Sequence, residues 1–405
     1  HDRPVVRHAD DSILRVVLGR ELVMRRARGF APLPVPLHAS TEGMLAVGAH
    51  LKNTVAVSRG TNAFLSQHLG DLETEQSLAA FRRSIADLTS MFDVKPVRVV
   101  SDMHPDYLSS GFARASGLPA VSVQHHHAHI AACMADNDLR EDVLGISWDG
   151  TGYGPDGSVW GGEFLLTDGP SYERAATFRQ FRLPGGDRAI REPRRQAVGL
   201  LFAHLGDEAF ALGTLPPLRT FGAGEIANLR TMLKGGINSP LTSSAGRLFD
   251  AVASLAGLRQ VSTYEGEAAM ALEFAVAPGV DEAYALTVTA PGRERETAEE
   301  PRWIVDWSAM LGALLEDVDA GTGAPLVAAR FHNGIVECAV EVARRAKRER
   351  VVLSGGCFQN RYLLERMVRR LGEEGFRAYW HQRVPPNDGG IALGQIAVAG
   401  GVTKS

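Results

Sequence analysis

Two histidines, four positions apart, have the residue type and the spacing of a metal site. His125 and His129 lie in the motif QHHHAH, between a strand-like run at 120–123 and an apolar segment typical of a helix. On a helix, residues i and i+4 share one face, so both neutral imidazoles can reach one cation. The free N–H groups at the helix N-terminus also favour an anion such as phosphate. The alternative is a polar helix start that contains histidines by chance.

Two aspartates could complete the coordination of that cation. Asp149 begins the motif DGTG at the tip of an expected hairpin, and Asp388 lies in NDGG at the start of the last expected helix. Two imidazoles and two carboxylates suit zinc, iron or manganese, with open positions for phosphate or water. Magnesium is a further candidate ion. Helix capping is the commoner role of an aspartate at the position of Asp388.

Glycine-rich loops after two strands could bind the phosphates of a nucleotide. Gly150, Thr151 and Gly152 would present backbone N–H groups and one hydroxyl to an anion. Gly355 and Gly356 follow the strand-like run at 351–353 and would allow a ligand to approach the backbone. Simple turns would explain each loop equally well. The chain has no GxxxxGK[ST] motif, which excludes a P-loop.

Three other features indicate function more weakly. Asp250 in RLFD could bind ribose hydroxyls and Gly266 in EGEAAM could lie against a sugar or base, although an amphipathic helix with routine charges is equally expected. The arginine-rich stretch at 179–195 could bind phosphate or carbamoyl oxygens, although most surface arginines stay solvated. Cys357 could be a nucleophile, but a small buried residue is the favoured interpretation.

The composition is that of an ordinary globular protein. With 405 residues, 45% hydrophobic and 22% charged, the chain is long enough for two or three domains. A net charge of −4 gives no general attraction for nucleic acid or an anionic membrane, so neither is expected as a partner. Three cysteines without CxxC pairing, no apolar run of about 18 residues, and no N-terminal signal pattern predict a cytoplasmic location.

The elements that must position these residues alternate between strands and helices. Strand-like runs are expected at 45–49, 54–57, 97–100, 121–123, 143–148, 159–166, 351–353 and 376–380. Helices are expected near 72–92, 125–134, 326–347 and 360–371, and from about 388. This pattern near each end of the chain predicts an α/β fold of two related lobes with a cleft between them.

The chain is expected to divide into an N-terminal arm and one main domain. Residues 1–38, with seven arginines among the first 30, would form a basic arm and a proline-rich linker. Residues 39–405 would form the main domain. Its lobe I is expected at about 39–167, a largely helical insertion at about 168–325, and lobe II at about 326–405.

The combined motifs resemble a known family. QHHHAH, DGTGYG, SGGCFQN and NDGG, with EGEAAMALE and FRLPGGDRAIREP between them, are similar to the C-terminal carbamoyl-transfer domain of HypF, a hydrogenase maturation factor. The resemblance runs from about residue 45 to the C-terminus, and residues 1–30 look like the tail of the preceding YrdC-like domain. It implies the two-lobed actin/Hsp70/sugar-kinase-like fold with a nucleotide cleft between the lobes.

The resemblance also implies roles for individual residues. The implied metal ligands are His125, His129, Asp149 and Asp388. The implied nucleotide site consists of Gly150, Thr151, Gly152, Asp250, Gly266, Gly355, Gly356 and Asn360. Lys52 and Asn53 on the first hairpin are weaker candidates for contact with phosphate.

The function implied by the resemblance is carbamoyl transfer. HypF as a whole uses carbamoyl phosphate and ATP to form carbamoyl adenylate, and passes the carbamoyl group to the C-terminal cysteine of HypE, towards the cyanide ligand of the [NiFe] centre. The acylphosphatase, zinc-finger and YrdC-like parts of HypF are missing from this sequence, so we expect nucleotide and metal binding without the complete reaction. Either the chain is an excised piece or it works with a separate source of adenylate.

Three alternatives to this function are open. O-carbamoyltransferases that act on a small-molecule hydroxyl share these motifs. A noncatalytic domain that only docks HypE is a second possibility. The tRNA threonylcarbamoyl transferases share the metal site, but the stretch at 179–195 resembles HypF and the acidic balance disfavours RNA.

Overall fold

Two β-sheets, with helices between and around them, form the part of the chain that this computed structural model describes, residues 9–292 and 296–401. The first eight residues of the predicted basic arm lie outside the described residues. The strands are β1 (Ile13–Val17), β2 (Arg20–Arg25), β3 (Pro34–Pro36), β4 (Met44–Ala46), β5 (Ala56–Arg59), β6 (Asn62–Leu65), β7 (Arg98–Asp102), β8 (Ala120–Val123), β9 (Val143–Tyr153), β10 (Val159–Thr167), β11 (Tyr172–Phe178), β12 (Phe181–Arg182), β13 (Leu241–Thr242), β14 (Thr287–Thr289), β15 (Trp303–Asp306), β16 (Arg350–Ser354) and β17 (Arg377–Trp380). The helices are α1 (Glu75–Met91), α2 (Leu108–Ala115), α3 (His125–Asp136), α4 (Asp187–Arg191), α5 (Pro193–Leu205), α6 (Ala223–Gly235), α7 (Ala245–Leu255), α8 (Glu267–Ala275), α9 (Ser308–Asp319), α10 (Ala324–Ala346), α11 (Arg361–Glu373) and α12 (Ile391–Gly401).

The six-stranded sheet carries the first lobe. Its strand order is β3-β6-β5-β4-β7-β8, and β7 runs parallel to both β4 and β8. One face of the sheet packs on α1 and α2 through Phe81, Leu88 and Ala113. The opposite face packs on α3 and α12. The sheet is therefore buried on both sides.

The predicted linker contains an edge strand of this sheet. Pro34–Pro36 form β3, which pairs antiparallel with β6, and proline is tolerated there because an edge strand needs fewer N–H donors. The chain before it folds into the β1–β2 hairpin. The buried Arg26 guanidinium donates to Leu65 O at 3.3 Å, and Arg26 O accepts from His68 N at 2.8 Å. The N-terminal segment thus packs on the main domain.

The nine-stranded sheet carries the second lobe. Its main path is β14-β15-β11-β10-β9-β16-β17, and β13 joins β12 to β10. The central strand β9 pairs antiparallel with β10, and the turn of this hairpin is at 154–158. The DGTG motif was expected at the tip, but it lies within β9, where the register with β10 shifts between Trp160 and Gly162. On its other side β9 pairs parallel with β16, with Leu144 opposite Val351. Helices α5, α7, α10 and α11 cover the outer face of this sheet.

The lobe boundaries differ from the prediction. Strands β9 and β10 were expected in the first lobe, but they belong to the nine-stranded sheet. Helix α12 was expected in the second lobe, but Ile391, Ala392 and Ile396 pack on the six-stranded sheet. Residues 168–325 contain the helices α4 to α9, and β11 and β15 within this segment extend the nine-stranded sheet. The sheet to which a strand belongs depends on pairing between segments that are far apart in the sequence. The order of the elements along the chain does not reveal this pairing.

Helices α3 and α12 form the layer between the two sheets. Every residue of α3 is buried, because α3 packs on β9 and β16 on one side and on α12 on the other. Gly394 permits the close approach of the two helices, since a Cβ there would overlap the backbone of Ala128. This approach brings the start of α12 to the histidines of α3.

Candidate metal and nucleotide site

The predicted histidine pair lies on one face of α3. Gln124 directly follows strand β8 and is the N-cap of α3. Its side-chain oxygen accepts a hydrogen bond from His127 N at 2.9 Å. The helix therefore begins at His125, which places His125 and His129 one turn apart. Their ring centroids are 4.9 Å apart. Both imidazoles are buried, and both direct Nε2 towards the same point between the lobes.

Asp149 and Asp388 meet this pair from two other elements. Asp149 Oδ2 lies 3.4 Å from His125 Nε2 and 3.3 Å from His129 Nε2. Asp388 Oδ1 lies 3.7 Å from each of these nitrogens. The four ligand atoms all lie within 4.8 Å of one another. We call these four residues the metal cluster. The structure thus brings together the four residues that the sequence analysis selected.

The chemistry of the metal cluster fits a divalent cation. Two carboxylates with no more than 13% of their side chains exposed face two imidazoles, and buried like charges are costly without a cation between them. Burial works against a charge on His125, but Asp102, Asp149 and Asp388 outweigh it and raise the pKa of His125 well above its ordinary value. The imidazoles conversely hold the pKa of Asp149 well below its ordinary value, although burial opposes this shift. The cluster therefore attracts positive charge, which a metal ion would supply.

The position of Asp388 is fixed by the turn that precedes α12. Asn387 Oδ1 accepts from Gly389 N at 3.0 Å, and its amide group donates to Met24 O at 3.0 Å and to Gln359 Oε1 at 2.8 Å. Thr54 Oγ1 donates to Gly389 O at 3.0 Å. The turn is thereby tied to the β1–β2 hairpin, to the first lobe and to the second lobe.

The DGTG motif, which lies within β9, packs against the start of α3. Ser244, the cap of α7, donates its hydroxyl to the carbonyl oxygens of Asp149 at 2.7 Å and Gly150 at 2.8 Å. A Cβ at Gly152 would overlap the ring of His126, so glycine is needed for this packing. Gly150 and Thr151 are half-buried.

The second glycine loop contacts the metal cluster. Gly355 has φ +99°, and a Cβ there would overlap the carbonyl of Trp148. This left-handed conformation turns the chain so that Gly356 N donates to Asp149 Oδ1 at 3.1 Å. The two oxygens of Asp149 therefore have different partners, the loop for Oδ1 and the histidines for Oδ2. The predicted loop and the predicted metal ligands form one connected site.

A cavity of about 250 Å³ opens beside this loop. We call it the cleft pocket. Its walls include the predicted residues Gly266, Gly356 and Asn360, together with Lys52 and Cys357. Asn360 caps α11 by accepting a hydrogen bond from Leu363 N at 2.9 Å. Predicted nucleotide residues from two separate segments therefore line one pocket next to the metal cluster.

Two cations at the cleft pocket are paired with glutamates near α8. Lys52 forms an ion pair with Glu265. Although burial opposes it, Glu265, with Asp388 and Asp149 nearby, raises the pKa of Lys52. Arg15 pairs with Glu273 at 2.6 Å and donates to Gln359 O at 2.7 Å. Both cations are available to a phosphate if the ligand displaces the glutamates.

Asn53 and Asp250 were predicted to contact the ligand, but their side chains bind other groups of the protein. Asn53 is buried, and its amide donates to the carbonyl oxygens of Val47 at 2.9 Å and Ala49 at 2.5 Å, so it holds the first hairpin together. Asp250 pairs with Arg247 at 3.1 Å, and burial, its dominant influence, raises the pKa of its carboxyl group. Its neighbour Phe249 lines the cleft pocket instead.

The remaining candidates from the sequence are occupied within the protein. Arg188 and Arg195 from the arginine-rich stretch form ion pairs with Glu192, and Arg179 pairs with Asp306. Burial, assisted by the Asp149 carboxylate, raises the pKa of the Cys357 thiol well above its ordinary value. A thiol in this state is a weak nucleophile at neutral pH.

Sequence reasoning missed Asp102, Arg15 and Glu273. Asp102 ends the parallel strand β7, and a polar residue at such a strand end is a signal of function that could have been used. Arg15 and Glu273 are 258 positions apart, and nothing in the local sequence of either residue indicates that they meet at the cleft pocket.

Comparisons with known proteins match this chain over almost its whole length. A family model described as the HypF Kae1-like domain matches residues 39–136, and one described as the second subdomain of the Kae1-like carbamoyltransferase domain matches residues 145–395. Carbamoyltransferase HypF of a Synechocystis species is 41% identical over 98% of this chain and 52% of its own length. The chain belongs to the HypF carbamoyltransferase family.

Two further HypF proteins also match this chain over most or all of its length. A HypF homolog from Cupriavidus necator is 35% identical over 90% of this chain and 93% of its own length. A crystal structure of full-length HypF in a phosphate- and nucleotide-bound form has a TM-score of 0.92 and 38% identity, and the match covers all of this chain and 62% of that protein. This similarity confirms the predicted two-lobed, sugar-kinase-like α/β fold.

The first two HypF relatives are about twice as long as the part that matches this chain. The chain spans about half the length of the Synechocystis HypF and of the 42%-identical HypF from Rhizobium leguminosarum. Among the helices in the described part of the chain, none is both long enough and apolar enough to cross a bilayer.

Proposed function

We propose that this chain is a carbamoyltransferase of hydrogenase maturation. It would take the carbamoyl group of carbamoyl adenylate, which is made from carbamoyl phosphate and ATP, and transfer it to the C-terminal cysteine of HypE. One structural observation carries the proposal: Asp149 faces the histidines of the metal cluster with Oδ2 and accepts from the glycine loop of the cleft pocket with Oδ1. A cation and a nucleotide would therefore bind side by side.

The metal cluster would hold one divalent ion, for which zinc and iron are our first candidates and magnesium is the third. When bound, the ion would supply positive charge to the phosphate oxygens of the adenylate and ease the departure of AMP. The residues of the cluster would bind the ion and balance its charge. His125 and His129 donate nitrogen lone pairs, and Asp149 and Asp388 balance the charge of the ion within a buried site.

The cleft pocket would hold the nucleotide. The candidate contacts are Gly150, Thr151, Gly152, Gly266, Gly355, Gly356 and Asn360. Lys52 would exchange its pairing with Glu265 for a phosphate oxygen, since a charge-assisted contact to phosphate replaces the one it loses. Asp250 would act indirectly, because the guanidinium that it holds, that of Arg247, lies against Gly150.

The transfer itself needs no nucleophile from this chain. The thiolate of the acceptor cysteine would attack the carbamoyl carbon and form the new C–S bond. The C–O bond to the phosphate of AMP then breaks, and AMP leaves with that electron pair. The chain contributes by holding the anhydride in position and excluding water. The raised pKa of Cys357 supports this assignment, since the half-buried cysteine of the pocket is kept protonated.

A reconstituted acceptor assay tests the proposal. The chain, a separately purified adenylate-forming domain, carbamoyl phosphate, ATP and zinc are incubated with HypE, and intact-mass spectrometry follows carbamoylation of HypE. We expect HypE to gain one carbamoyl group, and HypE with its terminal cysteine replaced by alanine to gain none. The His129→Ala variant should be inactive.

Two results of this assay would overturn the proposal. Transfer to a sugar hydroxyl without transfer to HypE would identify an O-carbamoyltransferase. Binding of HypE without transfer, unaffected by His129→Ala or Asp388→Ala, would identify a docking domain.

A further inference from the structure

Asp102 is a buried carboxylate directly behind the metal cluster. It ends β7, where it lies opposite Val123 of the parallel strand β8, two residues before His125. Only 1% of its side chain is exposed. Asp102 Oδ2 lies 2.7 Å from His125 Nδ1, the ring nitrogen that does not face the cluster. A carboxylate in such a place is costly unless its oxygens accept hydrogen bonds.

Both oxygens of Asp102 have donors. Oδ2 accepts the Nδ1–H of His125, and Oδ1 accepts His104 N at 2.9 Å. The main-chain oxygen of Asp102 accepts from the Ser110 hydroxyl at 3.0 Å. The carboxylate is therefore held from the loop on one side and presents a fixed acceptor to the imidazole on the other.

This arrangement selects one tautomer of His125. With the proton on Nδ1, the lone pair of Nε2 points at the oxygens of Asp149 and Asp388, which lie 3.4 and 3.7 Å away. A carboxylate behind a histidine ligand fixes the ring orientation and makes the ligating nitrogen more basic. The partner of Nδ1 thus determines whether Nε2 can bind a cation.

We infer that Asp102 is a positioning residue for metal binding, which holds His125 in the Nδ1–H tautomer with Nε2 directed into the metal cluster. The inference rests on the proposed metal site, but it is independent of the acceptor and of the carbamoyl chemistry. The competing role is purely structural, in which Asp102 only anchors the loop through His104 N. Asparagine separates the two roles, since its single carbonyl oxygen cannot serve both N–H donors.

Cobalt(II) binding to the full chain tests the inference. Competition with a chelator gives the dissociation constant, and the visible spectrum reports the ligand geometry. We expect Asp102→Asn to weaken Co²⁺ binding by about tenfold or more and to change the spectrum. Asp106→Asn is the matched control, because Asp106 is an exposed acid in the same loop that makes no contact with His125 in the described structure. We expect this control to bind Co²⁺ like the unmutated chain.

Unchanged Co²⁺ affinity and spectrum in Asp102→Asn would overturn the inference while leaving the metal site intact. No binding by the unmutated chain would overturn the metal site and the inference together. A second measurement needs no variant and so avoids any loss of folding. In the zinc-loaded, ¹⁵N-histidine-labelled chain, we expect an imidazole with a protonated Nδ1 and a zinc-bound Nε2 at His125. A zinc-bound Nδ1 at His125 would contradict the inference.

Discussion

The metal cluster and the cleft pocket are neighbours that are built in different ways. The cluster is made of short side chains that close-packed backbone holds in place, and its most exposed member has 13% of its side chain exposed. The cleft pocket is lined in part by long charged side chains, of which Lys52 is 28% and Glu265 45% exposed. The cluster is therefore formed before any ligand arrives, whereas the pocket must exchange ion pairs to bind a phosphate.

Because of this difference, we expect the two ligands to bind in a preferred order. A preformed site loses little conformational entropy on binding, while a site that breaks ion pairs gives up part of its binding energy. We therefore expect the metal to bind without nucleotide, and the nucleotide to bind better with metal. Asp149 is the residue through which the two sites affect each other.

Removal of a cluster residue should have the largest effect. In His129→Ala one imidazole is lost, and we expect zinc affinity to fall by about 100-fold or more and carbamoyl transfer to be abolished. His127→Gln is the control on the same helix, since His127 Nε2 hydrogen-bonds Gly169 O at 2.8 Å and burial lowers the pKa of His127 to about 4. Zinc titration calorimetry measures both variants. Equal zinc affinity in His129→Ala and the unmutated chain would show that the cluster is not the metal site.

Metal removal should weaken nucleotide binding without unfolding the chain. Without a cation, the carboxylates of Asp149 and Asp388 face the region of the phosphates and repel them. We expect ATP affinity in the presence of EDTA to be about tenfold lower, because the loss of one close charge interaction at a partly buried site has this order of magnitude. Calorimetry with and without EDTA measures the affinity, and thermal unfolding provides the control. Unchanged ATP affinity would mean that the two sites are independent.

Substitutions of the two members of the Lys52–Glu265 ion pair should change ATP affinity in opposite directions. We expect Lys52→Ala to lower ATP affinity by about fivefold, because a cation at the cleft pocket is lost. Glu265→Gln should raise ATP affinity by about twofold, since Lys52 is then free to bind phosphate. Nucleotide titrations of both variants test this pair. A decrease in both variants would show that the ion pair supports the pocket and does not compete with the ligand.

Arg15 tests whether the N-terminal hairpin belongs to the nucleotide site. It lines the cleft pocket although the matched family models begin at residue 39. We expect Arg15→Ala to lower ATP affinity by about threefold and to leave zinc affinity unchanged. Arg20, on the same hairpin and stacked on Trp380 outside the pocket, supplies the control variant Arg20→Ala. Equal ATP affinity in the two variants would exclude a direct role for Arg15.

Substitution of Cys357 should have the smallest effect, which we expect on the rate of carbamoyl transfer. We expect Cys357→Ser to change the transfer rate by less than about twofold, since the acceptor supplies the sulfur. Because burial raises the pKa of this thiol, its alkylation by iodoacetamide should be slow at neutral pH and accelerate only in alkaline solution. Peptide mass spectrometry follows the alkylation. A loss of transfer in Cys357→Ser would require a covalent intermediate on this chain.

Part of the arrangement of the four cluster residues could be predicted from the sequence because that part is local. The spacing of His125 and His129 determines their common face once a helix forms, and the NDGG motif marks the turn before α12. The convergence of this turn with the histidine helix depends on the close contact between Gly394 and Ala128. Motif resemblance supplied that tertiary relation, which no local pattern contains.

The cleft pocket was predicted less well because its walls come from distant segments. Gly266, Gly356 and Asn360 line it as expected, but Arg15 and Glu273 also line it without any local signal. Asp250 and Asn53 were expected to contact the ligand and are instead bound within the protein. The lobe boundaries were misplaced for the same reason, since β9 pairs with β16 across about half of the chain.

The most direct test of the account is the location of the metal. Crystals of the chain grown with a divalent metal and ATP allow anomalous diffraction at the absorption edge of that metal. We predict one strong anomalous peak at a bonding distance of about 2.0–2.2 Å from His125 Nε2, His129 Nε2 and oxygens of Asp149 and Asp388, with the phosphates of the nucleotide beside it. A peak elsewhere, or bound nucleotide with no peak among these four residues, would contradict the account.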